Sequence, residues 1–532
     1  MRRLLLILAV LIAIIVVACQ GDTTSSPDTT LTRANIAEVA TLDPHRAEGV
    51  SAANVLRDLY EGLVAETPTG SLEPGAAERW DISDDGLTYR FYLRDNGRWS
   101  NGDPVVAADF EAGLRRTADP ATASSYAQIL LPLENADAVI AGDAPVTELG
   151  VEAIDDRTLE LRLERHTPYL LGLLTNSFAF PLHRASFDEY GVDFVRPENL
   201  VSNGAYQIES WRIGDRLTVA RNPNYRDADN VAVERVAFLP IEDTVSELNM
   251  FRAGELDITS NTPNTAYPQL RETYGDQLVV HPNLTVYFYV FDMTQPPFSD
   301  ARVREAVAIA VDRDQIAGAV LQAGQTGAWG LVPPGVDSYD SYSYEWKALP
   351  REQQIERARE LYAAAGYSED APLQVKLLYN TSDIHKKLAV AVQGMLRENL
   401  EAVVELENQE WKVMLDNRRD RSAWDLLRLG WTGDYNDPYT FLETFRADHP
   451  QNTSGYVNAA YDALLDNVAN ELDPTRRMQL ARDAERLLMR EYPVLPLYFY
   501  VSKHLVSERV GNFVPNINDR IYSRHLTLDA AP

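Results

Sequence analysis

Cysteine is nearly absent from this chain: one of its 532 residues, Cys19, carries a thiol. No internal disulfide can form, so stability must come from packed cores. Long apolar runs are as scarce. The single uninterrupted one, Leu4 to Val17, falls short of the roughly 20 residues that a helix needs to cross a hydrocarbon layer about 30 Å thick. Histidine is sparse, eight residues scattered without metal-ligand spacing, and there is no Gly-x-Ser-x-Gly elbow, no phosphate-binding Gly-Lys-Ser/Thr loop and no His-Glu-x-x-His. Basic charge is in deficit: 49 Lys and Arg face 79 Asp and Glu, a net of −30 spread along the chain. That balance favours solubility and argues against nucleic acid or an anionic membrane surface as the bound partner. Acidic pairs such as Asp84-Asp85 and Asp155-Asp156 sit in turn sequences, where solvated loop acids are the ordinary reading, and nothing singles out a glycosidase-like pair. Asp81, Ser83, Asp85 and Gly86 imitate the start of a calcium loop, but Tyr92 stands where the closing Glu is required.

What the N-terminus does contain is Arg2 and Arg3, the apolar run, and then Ala18-Cys19-Gln20-Gly21, the order of a secretion signal covering 1–18. The Val-Val-Ala-Cys stretch resembles a bacterial lipoprotein processing site, which implies lipidation of Cys19, cleavage before it and a hold on the membrane through acyl chains rather than a span. The alternative is an uncleaved anchor with a buried cysteine. Residues 19–31 follow as a lipidated cysteine and a polar, Ser/Thr-rich tether containing Pro27. On the lipoprotein reading the mature chain has no thiol for nucleophilic chemistry. It works outside the cytoplasm, anchored in the periplasm or at the outer face of the cell envelope. The remaining length, at 45% hydrophobic content overall, exceeds what one core holds and implies two or three lobes.

Hydrophobic periodicity divides the chain. Thr88 to Leu93 alternates with period two between the turn dipeptides Asp85-Gly86 and Asn101-Gly102, which predicts hairpins over 80–110. After Asp300, placed to cap, Val303, Ala306, Val307, Ala310 and Val311 fall at helical spacing; Asp312-Arg313-Asp314 ends that helix or restarts it. A helix over 352–365 closing at Gly366, a strand over 373–379, a helix over 385–400 and a strand over 402–406 follow, then a helix over 474–490 and an extended 494–501. Strands alternating with helices imply a parallel, right-handed α/β layer in this third of the chain.

Other segments stand together in register: Thr41-Leu-Asp-Pro-His45, Leu59-Tyr-Glu-Gly-Leu63, Ser83 to Tyr89 with Leu93-Arg-Asp-Asn96, Trp99 to Val105, Asn203-Gly-Ala-Tyr206, Arg221 to Tyr225, Arg302-Val-Arg304, Asp312-Arg313, Leu378 to His385, Glu407 to Trp411 and Trp431 to Pro438. Together they resemble the extracytoplasmic solute-binding proteins of ABC peptide permeases, nearest the oligopeptide-binding members, from about Leu31 to near the C-terminus. The resemblance implies an α/β, two-lobed periplasmic-binding-protein-like fold with a hinge and an additional inserted lobe. Lobe I would be discontinuous, 32–60 with 185–284 and 500–532; the inserted lobe II would cover 61–184 and lobe III 285–499. Also implied are no enzymatic activity, no cofactor or metal, and a monomer that hands short peptides to a membrane-embedded ABC permease.

Varied peptides can be held tightly because main-chain N–H and C=O groups are common to all of them: the ligand adds as a strand while its side chains enter roomy, hydrated pockets. By resemblance, backbone around Glu48, Gly49 and Val50 on one lobe and Gly430, Trp431 and Thr432 on the other sandwiches the ligand. Tyr126 and Trp411 line its side-chain space. Asp434 is implied to pair with the ligand α-ammonium, since a charge enclosed between lobes is tolerable only beside a fixed opposite one; read alone, it would be a turn-capping Asp before Asn436-Asp437-Pro438. Arg428, Arg418 and His385 are implied to receive the ligand carboxylate at different depths, Arg being suited by its bidentate fork.

Two positions depart from the oligopeptide-binding pattern. Thr285 and Thr432 stand where those members carry a disulfide, so the Asp434 loop is expected to be looser. Leu321 stands where they place a lysine for longer peptides, which shifts the expectation to tri- and tetrapeptides. Relatives take dipeptides, murein peptides, nickel complexes, haem or sugars, so another ligand on the same fold is the first alternative. An envelope hydrolase or a chaperone for exported chains is the second.

Overall fold

The structure, a computed structural model, describes residues 29–418 and 420–529, with the backbone alone at Trp411, Lys412 and Leu415. Cys19, the signal and most of the tether lie outside the described residues. No helix among the described residues is long and apolar enough to cross a membrane.

Local patterns form most of the elements expected of them. Ala77–Ile82 and Thr88–Leu93 pair as an antiparallel hairpin around Gly86, whose φ of +69° is a left-handed conformation that favours glycine. Thr158–Arg162 and Val151–Asp155 extend this hairpin into a four-stranded sheet. The Asn101-Gly102 turn closes only an isolated bridge between Arg98 and Pro104, because the intervening Trp99 is drawn into the core and donates its indole N–H to Asp109 at 3.0 Å. Asp300 caps Ala301–Ala310, and Asp312 caps the next helical turn, so the segment after Val311 restarts a helix. Gln374–Asn380 and Val403–Gln409 pair in parallel, with Asp383–Leu400 as the helix between them.

Two larger sheets organise the molecule. One has the order Thr30–Asn35, Arg235–Pro240, Arg216–Arg221, Tyr206–Arg212. The other has six strands in the order Thr326–Gly327, Val494–Leu505, Leu278–Phe291, Leu426–Thr432, Gln374–Asn380, Val403–Gln409. The long strands Leu278–Phe291 and Val494–Leu505 pair antiparallel, with a break in register between Pro282 and Val286. On one side of the break, Leu278 and Leu505 pack with Ala34, Ala237 and Leu239. On the other, Val286 to Phe291 and Val494 to Phe499 belong to the core of the six-stranded sheet. A strand pair that leaves one hydrophobic core and enters another, with its ladder interrupted at a proline between them, has the form of a hinge between two lobes. The hairpin sheet shares its core with the first lobe, Phe91 and Leu161 packing in one cluster with Leu31, Tyr206 and Val236.

Candidate ligand-binding cleft

The facing lobes leave a cleft of about 500 Å³. One wall is the start of the helix Gly49–Leu59, where Gly49, at φ +78°, and Val50 face the cleft. Glu48 precedes the helix in extended conformation and gives it no side-chain cap; its carboxylate instead accepts from the Ser125 hydroxyl. The helix thus begins with N–H groups that no capping side chain satisfies. Tyr126, stacked on Phe178 at 6.3 Å, continues this wall. The opposite wall is Leu284 with Thr432, Gly433 and Asp434, and the floor is Ile517 to Arg520.

The strand Leu426–Thr432 carries the second wall. Its one edge pairs with residues 285–291 along its whole length. The other edge meets Gln374–Asn380 only at Leu426 and Leu427. From Arg428 to Thr432 this second edge has no strand partner among the described residues, and Gly430 and Thr432 are exposed. An unpaired edge is what an extended chain adds to.

Asp434 lies just beyond that edge. Its backbone N–H donates to Thr440 Oγ1 at 3.2 Å. Its carboxylate opens to water in the cleft, yet enough protein crowds it that desolvation, with no cation to offset it among the described residues, raises its pKa. The turn is capped by Asp437, which accepts from the Tyr439 N–H at 2.9 Å and pairs with Arg477 at 2.5 Å. Asp434 is therefore not the turn cap that local sequence suggests.

Arg428 is four residues before Thr432 on the same face of the strand, about 13 Å away at 3.3 Å per residue. Its guanidinium lies over the Tyr287 ring at 4.6 Å and donates to Asn380 Oδ1 at 3.2 Å, while its Nε is buried without a partner. His385 reaches the same tyrosine, with Nδ1 at 3.3 Å from the hydroxyl. Burial and the neighbouring Arg428 charge push the His385 pKa down to about 4, so at neutral pH it offers an N–H and no positive charge. Arg428 and His385 thus share one cluster around Tyr287, apart from Asp434. Arg418 donates to Gln451 at 3.0 Å and belongs to neither group. Trp431 turns its indole toward Thr440, leaving only its backbone to the edge. The Trp411 side chain lies outside the described residues. Leu321 is buried in the large core and offers the cleft nothing. Thr285 and Thr432 are cross-strand partners with hydroxyls 3.0 Å apart.

The floor escaped the sequence. Arg520 pairs with Glu66 at 2.8 Å, and Asp519 with His504 at 2.7 Å. No local pattern marks these residues, because a returning C-terminal segment places them.

A family model described as bacterial extracellular solute-binding proteins, family 5, matches residues 71–453. The chain belongs to this family. This family-5 member is 40% identical over 501 residues to the periplasmic oligopeptide-binding protein OppA of Salmonella typhimurium, covering 93% of this chain and 92% of that one. The unliganded open form of the murein tripeptide-binding protein MppA superposes with a TM-score of 0.89 at 35% identity, covering 94% of this chain and 97% of that one. Haemophilus influenzae OppA in complex with RPPGFSPFR superposes with a TM-score of 0.71 at 35% identity, with coverage of 94% and 99%. At equal identity, this family-5 member stands much nearer the open arrangement than the peptide complex. Like its relatives, it is a solute-binding protein and not an enzyme.

Proposed function

We propose that this protein is an extracytoplasmic, lipid-anchored receptor that binds short peptides between two lobes and delivers them to an ABC transporter for uptake. The observation that carries the reading is an unpaired strand edge, 428–432, ending at a carboxylate that has no cation of its own among the described residues. An extended peptide can bond its main chain to that edge and set its α-ammonium beside Asp434, and neither step depends on its side chains. Arg428, about 13 Å before Thr432 along the strand, lies at the other end of that edge from Asp434 and is a cation for the peptide's carboxylate. The helix start at Gly49 supplies N–H groups from the other wall. The described arrangement is the open state on this reading, and closure occurs at the interrupted strand pair. The change of core membership along those two strands supports a boundary between 32–60 with 185–284 and 500–532 on one side and 285–499 on the other; 61–184 packs in one core with the first of these.

Calorimetric titration of refolded, ligand-free protein with tri-, tetra- and pentapeptides, beside N-acetylated versions, tests the reading. Saturable binding that needs the free amine is expected. Asp434→Ala should weaken free-amine peptides by about 2–5 kcal/mol, the scale for removing one member of an enclosed charge pair, and N-acetyl peptides far less. Equal losses overturn the assigned role, and absence of binding to every peptide redirects the search to murein peptides and sugars. For the anchor, Cys19→Ser should release the protein from membranes; persistent attachment would mean an uncleaved signal.

A further inference from the structure

Two histidines meet where the long strands cross between lobes. His281 lies on Leu278–Phe291 and His504 on Val494–Leu505, with rings near parallel at 16° and centroids 5.9 Å apart. Each Nδ1 faces a backbone carbonyl, His281 that of Pro282 at 3.0 Å and His504 that of Thr259 at 2.7 Å. A carbonyl oxygen only accepts, so both Nδ1 atoms carry their hydrogen. Both Nε2 atoms then turn to one oxygen, Asp519 Oδ1, at 3.4 Å and 2.7 Å. Two imidazole lone pairs cannot rest against a carboxylate without a cation between them, either a proton or a metal ion. An Nδ1–H fixed on a carbonyl with Nε2 aimed inward is the way imidazole is set to ligate a metal.

We propose that His281, His504 and Asp519 form a binding site for one divalent transition-metal ion of the zinc type, set in the hinge and open to the cleft. The three donor atoms lie within 4.8 Å of one another. A tetrahedral ion with bonds of about 2.0–2.2 Å needs its ligands about 3.3–3.6 Å apart; His281 Nε2 already stands 3.4 Å from the Asp519 oxygen, and His504 Nε2, at 2.7 Å, has to draw back by about 0.6–0.9 Å to complete the set. Two imidazole nitrogens and one carboxylate suit zinc and leave its fourth position for water. Both rings are buried, while Asp519 keeps 29% of its side chain accessible and lines the cleft floor, which gives an ion its way in. The ion would tie both crossing strands to the C-terminal segment.

The purified, tag-free protein, stripped with a chelator, is titrated with zinc by calorimetry and with cobalt(II) by absorption. One equivalent of each, the intense visible bands of low-coordinate cobalt and a rise in Tm with zinc are expected. His281→Gln, His504→Gln and Asp519→Asn should each weaken binding by at least about tenfold, whereas His449→Gln should leave it unchanged. Folding of each variant is checked by its melting transition. No saturable zinc binding by the unaltered protein below about millimolar concentration, the weak end of built ion sites, overturns the proposal. So does zinc affinity that survives unchanged in both His281→Gln and His504→Gln.

Discussion

Two carboxylates open onto one cleft and are treated in opposite ways. Burial alone raises the pKa of either, because it disfavours the charged form. At Asp434 nothing among the described residues offsets it, and the pKa stays raised. At Asp519 burial is overturned by His504 and His281, which hold the carboxyl far below its usual range. His504 answers in kind: burial would lower its pKa, but the charge and hydrogen bond of Asp519 raise it. What separates the two acids is therefore not depth but the supply of cations. Asp519 has its counter-charges within the protein, whereas burial at Asp434 is offset by no cation among the described residues.

The largest effect in that contrast belongs to the satisfied acid. Asp519→Asn in chelator should cost about 3 kcal/mol in urea unfolding, since it strands two imidazoles that share one charge. The sign of its pH dependence follows from the two shifts. Asp519, with its folded pKa lowered, contributes above the ordinary Asp value of 3.8 and loses that contribution as pH falls through the folded value. His504, with its folded pKa raised, contributes below the ordinary His value of 6.5 and loses it as pH rises through the folded value. The pair contributes most between about pH 4 and 6.5, so the Asn variant should lose most stability inside that window and less on either side of it. A loss as large at pH 9 as at pH 6 would assign it to packing instead.

How much of this contrast was legible depends on how local each signal is. The hairpin at Thr88–Leu93, the cap at Asp300 and the parallel strands around Asp383–Leu400 were readable because period and capping act within a few residues. The edge at 428–432 is indicated in part by the family resemblance, through Gly430 to Thr432, but by no local pattern, since it exists only because the neighbouring strand stops pairing at Leu378. The histidines looked scattered because His281 and His504 approach only through the pairing of two distant strands. The resemblance names His385 as a partner for a carboxylate but says nothing of its charge, which burial, and then the Arg428 charge beside it, suppress. The expectation that Asp434 meets a ligand ammonium comes only from the family resemblance; turn chemistry assigns it a role that Asp437 fills.

A second test acts on the mobility of the unsatisfied acid. The bond from Gly433 N–H to the Leu284 carbonyl, 2.8 Å, makes 284 and 433 a hydrogen-bonded pair, so the adjacent Thr285 and Thr432 form the closer, non-bonded kind, with Cα atoms about 4.5 Å apart. That spacing accepts a disulfide. Thr285→Cys with Thr432→Cys should oxidise spontaneously and raise stability by about 2–4 kcal/mol, reversibly with reductant. Peptide affinity should rise as well, because the loop carrying Asp434 enters the complex already ordered. An affinity unchanged by oxidation would show that the two-threonine contact holds the loop as firmly as a covalent bond.

The smallest effect is the most specific. In the ligand-free protein Asp434→Asn should stabilise by at most a few tenths of a kcal/mol at pH 7, once screening by cleft water is allowed for. An acid whose folded pKa is raised binds its proton more tightly folded than unfolded, so its ionisation opposes folding. The gain should vanish below the ordinary Asp value of 3.8 and be complete above the raised folded value. Urea unfolding at acid and neutral pH measures it, and a destabilised variant at pH 7 would mean that the free protein already supplies Asp434 with a cation. A carboxylate whose removal slightly steadies the empty receptor but costs about 2–5 kcal/mol in the complex owes its place to the ligand and not to the fold.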